Sequence, residues 1–130
     1  MPLSQLIRPA LAALAILAAS AVPAAPAPIA AGKASYNGTW SVLIVTQKGT
    51  CDRAYRYPVK IENGAVGYAG TASFNVSGSV GDNGAVIVTV SRGSQSAKGT
   101  GRMSSTDGAG TWIAGSGECS GTWTAERRAS

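Results

Sequence analysis

Two cysteines and the lack of histidine limit the chemistry available to this chain of 130 residues. Without histidine, a catalytic Ser–His or Cys–His pair and a histidine-held metal are excluded. Cys51 and Cys119 form either a disulfide or a free thiol pair with a redox or metal role, but no C-x-x-C spacing accompanies them. Because two cysteines permit one intramolecular pairing and the chain carries an export signal, we expect a Cys51–Cys119 disulfide and no metal site.

The carboxylates are not placed for acid–base catalysis. Asp52, Asp82 and Asp107 fall in segments with turn composition, where such a side chain serves the local backbone. Glu62 and Glu126 fall on the outward positions of alternating segments. The glycines are single and spaced, so no phosphate-binding loop is present. We therefore predict that the protein is not an enzyme and has neither a catalytic residue nor a cofactor.

The tripeptide Gly-Thr-Trp occurs three times and contains every tryptophan of the chain. Its glycine and tryptophan lie two apart, so on a strand both face the same side. We expect inward-facing glycines to make room for the indoles, with the other aromatic residues opposite. The alternative is a row of exposed indoles that stacks sugars or bases. The candidate ligand or packing wall comprises Trp40, Trp112, Trp123, Tyr55, Tyr57, Tyr68 and Phe74.

A basic loop at residues 47–53 contains Cys51 and is a candidate contact for a protein partner. Its charged residues and their neighbour are Lys48, Asp52, Arg53 and Arg56. A disulfide would tether this loop, so less ordering entropy would be lost on insertion into a partner's cleft. The alternative is a solvated hairpin loop. The formal net charge of +5 is spread along the chain, so no specific nucleic-acid binding is expected.

The first residues have the composition of a secretory signal peptide. A short basic segment precedes an apolar stretch at 11–21, shorter than the ~20 residues that a membrane-spanning helix needs. We predict a signal peptide at 1–21, with cleavage between 21 and 25, and a Pro- and Ala-rich disordered leader at 22–35. One folded domain is predicted at 36–128. The mature protein is expected to be exported, periplasmic or extracellular, without a transmembrane segment.

Apolar and polar residues alternate with a period of two from residue 38 onward, and no segment has a helical period. Asn63-Gly64, Asn83-Gly84 and Asp107-Gly108 are predicted type I′ hairpin turns. We predict an all-β domain, a single eight-stranded antiparallel up-and-down meander that closes into a barrel, with no helices. The alternative is a sandwich of two sheets. The predicted strands cover 38–48, 54–62, 65–70, 72–81, 85–92, 96–104, 109–115 and 119–127.

The cysteine positions agree with closure of the barrel. In a closed meander the first and last strands pair antiparallel, so the end of the first lies beside the start of the eighth. Cys51 follows the first predicted strand and Cys119 opens the eighth. A bridge between them would join the two ends of the sheet and, over such a loop, stabilise the fold by roughly 4 kcal/mol.

The G-x-W element formed by Gly38 and Trp40, together with a basic residue near the end of the last strand, Arg127 or Arg128, resembles the calycin superfamily of avidin- and lipocalin-type barrels. The resemblance implies that the tryptophan closes one barrel end and that an arginine packs across it in a cation–π contact, for which Arg127 is the candidate. Small envelope protease and lysozyme inhibitors of bacteria have similar barrels. The longer pattern GTWSV…GTCDRAYRYPV…CSGTWTAER is also similar to small exported bacterial proteins of unassigned function.

Two functions agree with these features. The first is an exported, non-enzymatic binding barrel that takes a small apolar or aromatic ligand at an open end lined by aromatic residues. This hypothesis requires a pocket above ~300 Å³ at one barrel end. The alternative is an envelope inhibitor or protein-interaction barrel that acts through the basic loop or the N-terminal leader.

Overall fold

The computed structural model of the protein describes residues 32–129. The predicted signal peptide at 1–21 and residues 22–31 of the predicted leader lie outside the described residues. A 3-10 turn at Lys33–Tyr36 precedes eight strands. The strands are β1 (Gly38–Lys48), β2 (Ala54–Glu62), β3 (Ala65–Tyr68), β4 (Asn75–Val80), β5 (Ala85–Arg92), β6 (Gln95–Met103), β7 (Asp107–Ala114) and β8 (Ser120–Ala129).

The eight strands form one closed antiparallel barrel in which each strand pairs with its neighbours in sequence. β1 pairs with β8 over most of its length, from Thr39 opposite Ala129 to Lys48 opposite Ser120. Pairing of the first and last strands leaves no open sheet edge, which is the physical advantage of closure. The predicted all-β barrel is confirmed, and the sandwich alternative is wrong. The 3-10 turn is the one helical element among residues 32–129.

The predicted hairpin turns have different outcomes. Asn63 and Gly64 both have positive φ, 47° and 85°, as a type I′ turn requires. At Asn83-Gly84 the glycine alone of the pair has positive φ, and the turn spans four residues, with the amide of Gly84 donating to the carbonyl of Gly81 at 2.9 Å. The prediction for Asp107-Gly108 is wrong, because both residues lie in β7.

The turn before β7 is built on Ser104 rather than on Asp107-Gly108. The Ser104 hydroxyl donates to the Asp107 carboxylate at 2.7 Å, and the amides of Thr106 and Asp107 donate back to the hydroxyl oxygen. Gly108 is needed inside the barrel instead. A Cβ at this position would lie 2.9 Å from the Met103 side chain and 3.4 Å from the Trp123 ring.

The barrel interior is divided between large and small side chains. β2 to β5 contribute tyrosine, valine and isoleucine to the buried core. β6 to β8 place Gly99, Gly101, Gly108, Gly110 and Gly121 at alternate positions, interrupted by two tryptophans. An eight-stranded barrel has an interior that side chains can nearly fill. The small residues on one half therefore accommodate the largest side chains of the protein.

The end of the barrel where β1 begins is covered by the 3-10 turn, and we call it the closed end. Tyr36 in this turn is buried, and the indole of Trp40 donates to the Tyr36 carbonyl at 2.9 Å. Asn37 accepts a hydrogen bond from the amide of Asn63 through its side-chain oxygen, at 2.7 Å. No helix in residues 32–129 is long and apolar enough to cross a membrane.

Candidate ligand cavity and its aromatic mouth

A cavity of about 190 Å³ lies inside the barrel. It runs from buried residues in the middle of the barrel to aromatic residues at the end opposite the 3-10 turn. Within residues 32–129, no residue with a charged side chain lines it. The lining residues are Val42, Ile44, Tyr55, Tyr57, Val59, Ile61, Val66, Phe74, Val86, Val88, Val90, Ala97, Gly99, Met103, Trp112, Trp123 and Ala125.

The cavity is smaller than the sequence-based hypothesis required. Pockets for drug-sized ligands occupy ~300–1,000 Å³, so the expectation of an interior pocket of that size is wrong. A larger depression of about 630 Å³ lies outside the barrel, beside the β6–β7 turn. It is lined by Arg102, Asp107 and Glu126 among other residues and by no aromatic side chain. The interior cavity is therefore the better ligand site, but for a smaller ligand.

Four aromatic rings form a cluster at the open end, which we call the aromatic mouth: Tyr55, Tyr57 and Phe74, which line the cavity, and Tyr68, which packs beside Tyr57 and Phe74 without lining it. Tyr55 and Tyr57 are alternate residues of β2, Tyr68 ends β3, and Phe74 immediately precedes β4. The Phe74 ring lies at the centre, 5.6 Å from Tyr55, 6.2 Å from Tyr57 and 5.5 Å from Tyr68 between ring centroids. Offset or tilted packing at such distances favours a fixed cluster.

Arg92 lies on the outer side of this cluster. It is the last residue of β5, and its guanidinium carbon is 5.2 Å from the Phe74 ring centroid. The two ion pairs among residues 32–129 join Lys60 to Glu62 and Arg128 to Glu126. Within these residues the Arg92 guanidinium therefore has no carboxylate partner. Sequence reasoning missed Arg92, although its position before Gly93 at the end of an alternating strand marks a barrel rim.

Tyr57 is the most buried member of the mouth, with 8% of its surface exposed. Burial, with a smaller contribution from Tyr55, raises the pKa of Tyr57 from 10.0 to about 12. The apolar surroundings disfavour the phenolate, so the hydroxyl stays protonated at neutral pH. Tyr68 differs, since its hydroxyl accepts a hydrogen bond from the amide of Ala72 at 3.3 Å.

The second and third copies of the Gly-Thr-Trp tripeptide pair with each other. β7 and β8 run antiparallel, with Gly110 opposite Trp123 and Trp112 opposite Gly121. Each indole therefore lies beside the glycine of the other copy, not beside its own. A Cβ at Gly110 would lie 2.6 Å from Nε1 of Trp123, and one at Gly121 would collide with the carbonyl of Val45.

Both indoles also reach past the facing strand to a backbone carbonyl. Nε1 of Trp123 on β8 donates to the Thr100 carbonyl on β6, and Nε1 of Trp112 on β7 donates to the Val45 carbonyl on β1, each at 3.1 Å. Since a buried indole N–H needs a partner, these bonds hold both rings against the wall. Trp112 points inward and Ile113 outward, with 52% of the isoleucine surface exposed.

Trp40 belongs to the closed end and does not line the cavity. It is fully buried, and Arg127 lies over its ring, 4.9 Å from guanidinium carbon to centroid. Nη1 of Arg127 donates to the Asn37 carbonyl at 2.9 Å, and Nη2 donates to the Ser35 carbonyl. Arg127 thus joins the end of β8 to both sides of the 3-10 turn. The aromatic pairs among residues 32–129 involve only the four mouth residues, so none of the three indoles forms an aromatic pair within this part of the chain.

The basic loop between β1 and β2 lies at the same end as the aromatic mouth. Lys48, Asp52 and Arg53 are exposed, and the carbonyls of Asp52 and Arg53 accept hydrogen bonds from the buried Thr46. Arg56 is separate from this group, because it projects outward from β2 and donates to the Ser41 hydroxyl at 2.9 Å.

The predicted disulfide joins Cys51 to Cys119, with 6.1 Å between the Cα atoms. Cys51 lies in the β1–β2 loop and Cys119 directly precedes β8, so the bridge is at the seam where β1 meets β8. Gly49 has a φ of +96°, and a Cβ there would lie 2.7 Å from the Cys119 sulfur. The glycine lets the loop turn closely over the bridge.

Residues 32–129 contain no group of three His, Cys, Asp or Glu side chains that could hold a metal ion. Comparison of the chain with protein-family models, with curated proteins and with solved structures finds no match. The candidate site is therefore defined by its own geometry: a closed barrel with an apolar cavity, an aromatic mouth and a basic residue at its rim.

Proposed function

We propose that the protein is an exported, non-enzymatic binding barrel, but one that holds only a single small apolar group, because its interior cavity is smaller than the ~300 Å³ that a larger ligand requires. The observation that carries the proposal is a cavity of about 190 Å³ without a charged lining residue. A cavity of ~150 Å³ lined by aliphatic and aromatic side chains stays dry and binds benzene. The ligand group is accordingly one aromatic ring or a short alkyl chain.

The aromatic mouth supports entry from the end opposite the 3-10 turn. Tyr55 is 37% exposed and also lines the cavity, so its ring connects the interior with solvent. Val88, Val90 and Ala97 extend the apolar surface from the opposite side. Burial of a ring against such surfaces gains about 25 cal/mol per Å² of apolar area removed from water.

Toluene tests the proposal because it is neutral and of suitable size. We expect saturable quenching or a shift of tryptophan fluorescence, since Trp112 and Trp123 line the cavity, and a rise in the thermal unfolding midpoint by mass action. Ala97→Phe places a ring in the cavity and should abolish both effects. Ala85→Phe is the matched control, because Ala85 is exposed on the outer face of β5.

Two outcomes would contradict the proposal. One is an unchanged unfolding midpoint in toluene-saturated buffer together with unchanged fluorescence. The other is equal toluene binding by the wild type and by a folded Ala97→Phe variant, which would place the ligand outside the barrel.

We propose further that the barrel is related to the calycins and that the protein works outside the cytoplasm. The contact of Arg127 with Trp40 supports the first point, because it forms the barrel-end cation–π pair that the resemblance implies. The Cys51–Cys119 bond supports the second, because disulfides persist in oxidising compartments.

A second candidate function is inhibition or binding of an envelope protein through the basic loop or the leader. The observation in its favour is that Lys48, Asp52 and Arg53 are exposed on a loop anchored by a disulfide. Affinity capture from envelope extracts by the mature chain, by a chain lacking residues 22–31 of the leader and by Arg53→Glu separates these contributions, because a deletion that ends at 31 leaves the 3-10 turn intact. If all three proteins captured the same envelope proteins equally, neither the leader nor the charge of Arg53 would contribute to binding.

A further inference from the structure

The ligand that the cavity accepts is, we infer, a small amphiphilic anion: one aromatic ring or short alkyl chain bearing a carboxylate, with the apolar part inside and the carboxylate at Arg92. This inference rests on the proposed function and adds the charge and orientation of the ligand. It follows from two polar groups that border an otherwise apolar site, the Arg92 guanidinium and the Tyr57 hydroxyl.

Arg92 supplies a positive charge that no carboxylate among residues 32–129 neutralises. Between Ala65 and Met103, which include β3 to β6, the only carboxylate is Asp82. Asp82 lies in the β4–β5 turn, at the closed end of the barrel. Packing on Phe74 holds the guanidinium over a ring that lines the cavity. A carboxylate at the mouth would therefore meet a held guanidinium, whose paired N–H groups match its two oxygens.

The other titratable groups at this end of the barrel do not reverse the preference of the Arg92 side for an anionic ligand. Lys48 and Arg53 on the β1 side of the mouth are basic, while Asp52 and Glu118 beside them are acidic. Both acids belong to the segments joined by the disulfide, next to β1 and β8. β5 lies across the barrel from β1, so the Arg92 side of the mouth keeps its positive charge.

Tyr57 supplies a hydrogen-bond donor next to the same ring. Its ring stacks on Phe74 at 21° between planes, and its hydroxyl has no hydrogen-bond partner among residues 32–129. Because burial raises the pKa of Tyr57 to about 12, the hydroxyl carries no charge that would repel an anion at neutral pH. Among residues 32–129 the Tyr57 hydroxyl is not one of the buried side-chain atoms that lack a partner, so it is accessible at the mouth and can donate a hydrogen bond to an oxygen of the ligand.

Three ligands of one shape test the inference: phenylacetate, 2-phenylethanol and 2-phenylethylamine. We expect phenylacetate to bind about fivefold more tightly than the alcohol, and the amine to bind most weakly, by isothermal titration. Arg92→Gln should remove the preference for phenylacetate over the alcohol. Arg128→Gln, which loses the same charge from an exposed position at the closed end, should keep it. Added salt should weaken the binding of phenylacetate but not of the alcohol.

The outcomes separate this inference from the proposed function. Equal affinities for phenylacetate and the alcohol, or an unchanged preference in Arg92→Gln, would overturn the inference while the cavity remained a binding site. A failure of toluene and of all three phenyl ligands to bind would overturn both. Loss of the preference in Arg92→Gln, with toluene binding retained, is the result that supports the anion.

Discussion

At the scale of single residues, the tripeptide Gly-Thr-Trp is a packing unit that works in pairs. Gly110 and Gly121 each lie opposite the tryptophan of the other copy. A strand glycine lacks a side chain to pack and is normally unfavourable. Here it lets an indole lie flat against the backbone and reach the carbonyl of the next strand.

Gly110→Ala should therefore lower the free energy of unfolding by about 1–3 kcal/mol, the range for overpacking a core. The added Cβ would lie 2.6 Å from Nε1 of Trp123 and would also meet the Thr100 carbonyl. Gly67→Ala is the control, because a Cβ there meets nothing within 4 Å. It should be neutral or slightly stabilising. Urea unfolding of both variants measures the difference, and equal stability would show that Gly110 is not required for packing.

Tyr57 should make the stability of the barrel fall between pH 10 and 12. Its pKa is about 12 in the folded protein and 10.0 without burial, so the folded state retains the proton through this range while the unfolded state loses it. The contribution is fully present below pH 10 and is lost as pH rises through 12, by at most about 3 kcal/mol. Thermal unfolding of the wild type and Tyr57→Phe across this range is the measurement. Parallel curves for the two proteins would contradict the prediction.

At the scale of elements, the β1–β8 seam decides whether the sheet is closed. These strands come from opposite ends of the domain, so their pairing requires a larger loss of chain entropy than the pairing of any two consecutive strands. Three features act on this seam: the disulfide, the bulge between Thr46 and Lys48 that Gly121 permits, and Arg127, which joins β8 to the 3-10 turn. They lie at both ends of the seam.

Reduction of the Cys51–Cys119 bond should cost about 2–5 kcal/mol of unfolding free energy. The bond restricts the conformations of the unfolded chain, so its reduction favours unfolding. The structural effect of reduction should be largest at the open end of the barrel, beside β1 and β8. Denaturation with and without reductant gives the magnitude, and the Cys51→Ser/Cys119→Ser double variant controls for effects of the reductant. Two reactive thiols in the non-reduced exported protein would contradict the assignment.

At the scale of the whole molecule, the two barrel ends have different constructions. The closed end is filled by Tyr36, Trp40 and Arg127, and none of these three residues lines the interior cavity. The other end has aromatic rings around a cavity of about 190 Å³. One barrel thus combines a packed end, which supports stability, with a hollow end, which has space for a small ligand.

All three indoles should behave as buried in the native protein. Trp40, Trp112 and Trp123 are 0%, 9% and 6% exposed, so emission should be blue-shifted and acrylamide should quench it weakly. Unfolding in denaturant should reverse both effects. Free quenching of two of the three indoles in native protein would contradict the burial and favour the stacking-platform alternative.

The sequence by itself determined the class of fold and its closure. Strand alternation, turn residues and the cysteine positions are local or pairwise signals, and they predicted eight strands with bounds close to those observed. They failed at Asp107-Gly108, where a turn-like pair lies in a strand because Gly108 is needed beneath Met103 and Trp123. Only the tertiary structure decided which Gly faces which Trp, how much space remains and that Arg92 stands at the mouth. Those properties depend on register across strands distant in sequence and on the sum of side-chain volumes, neither of which a local pattern specifies.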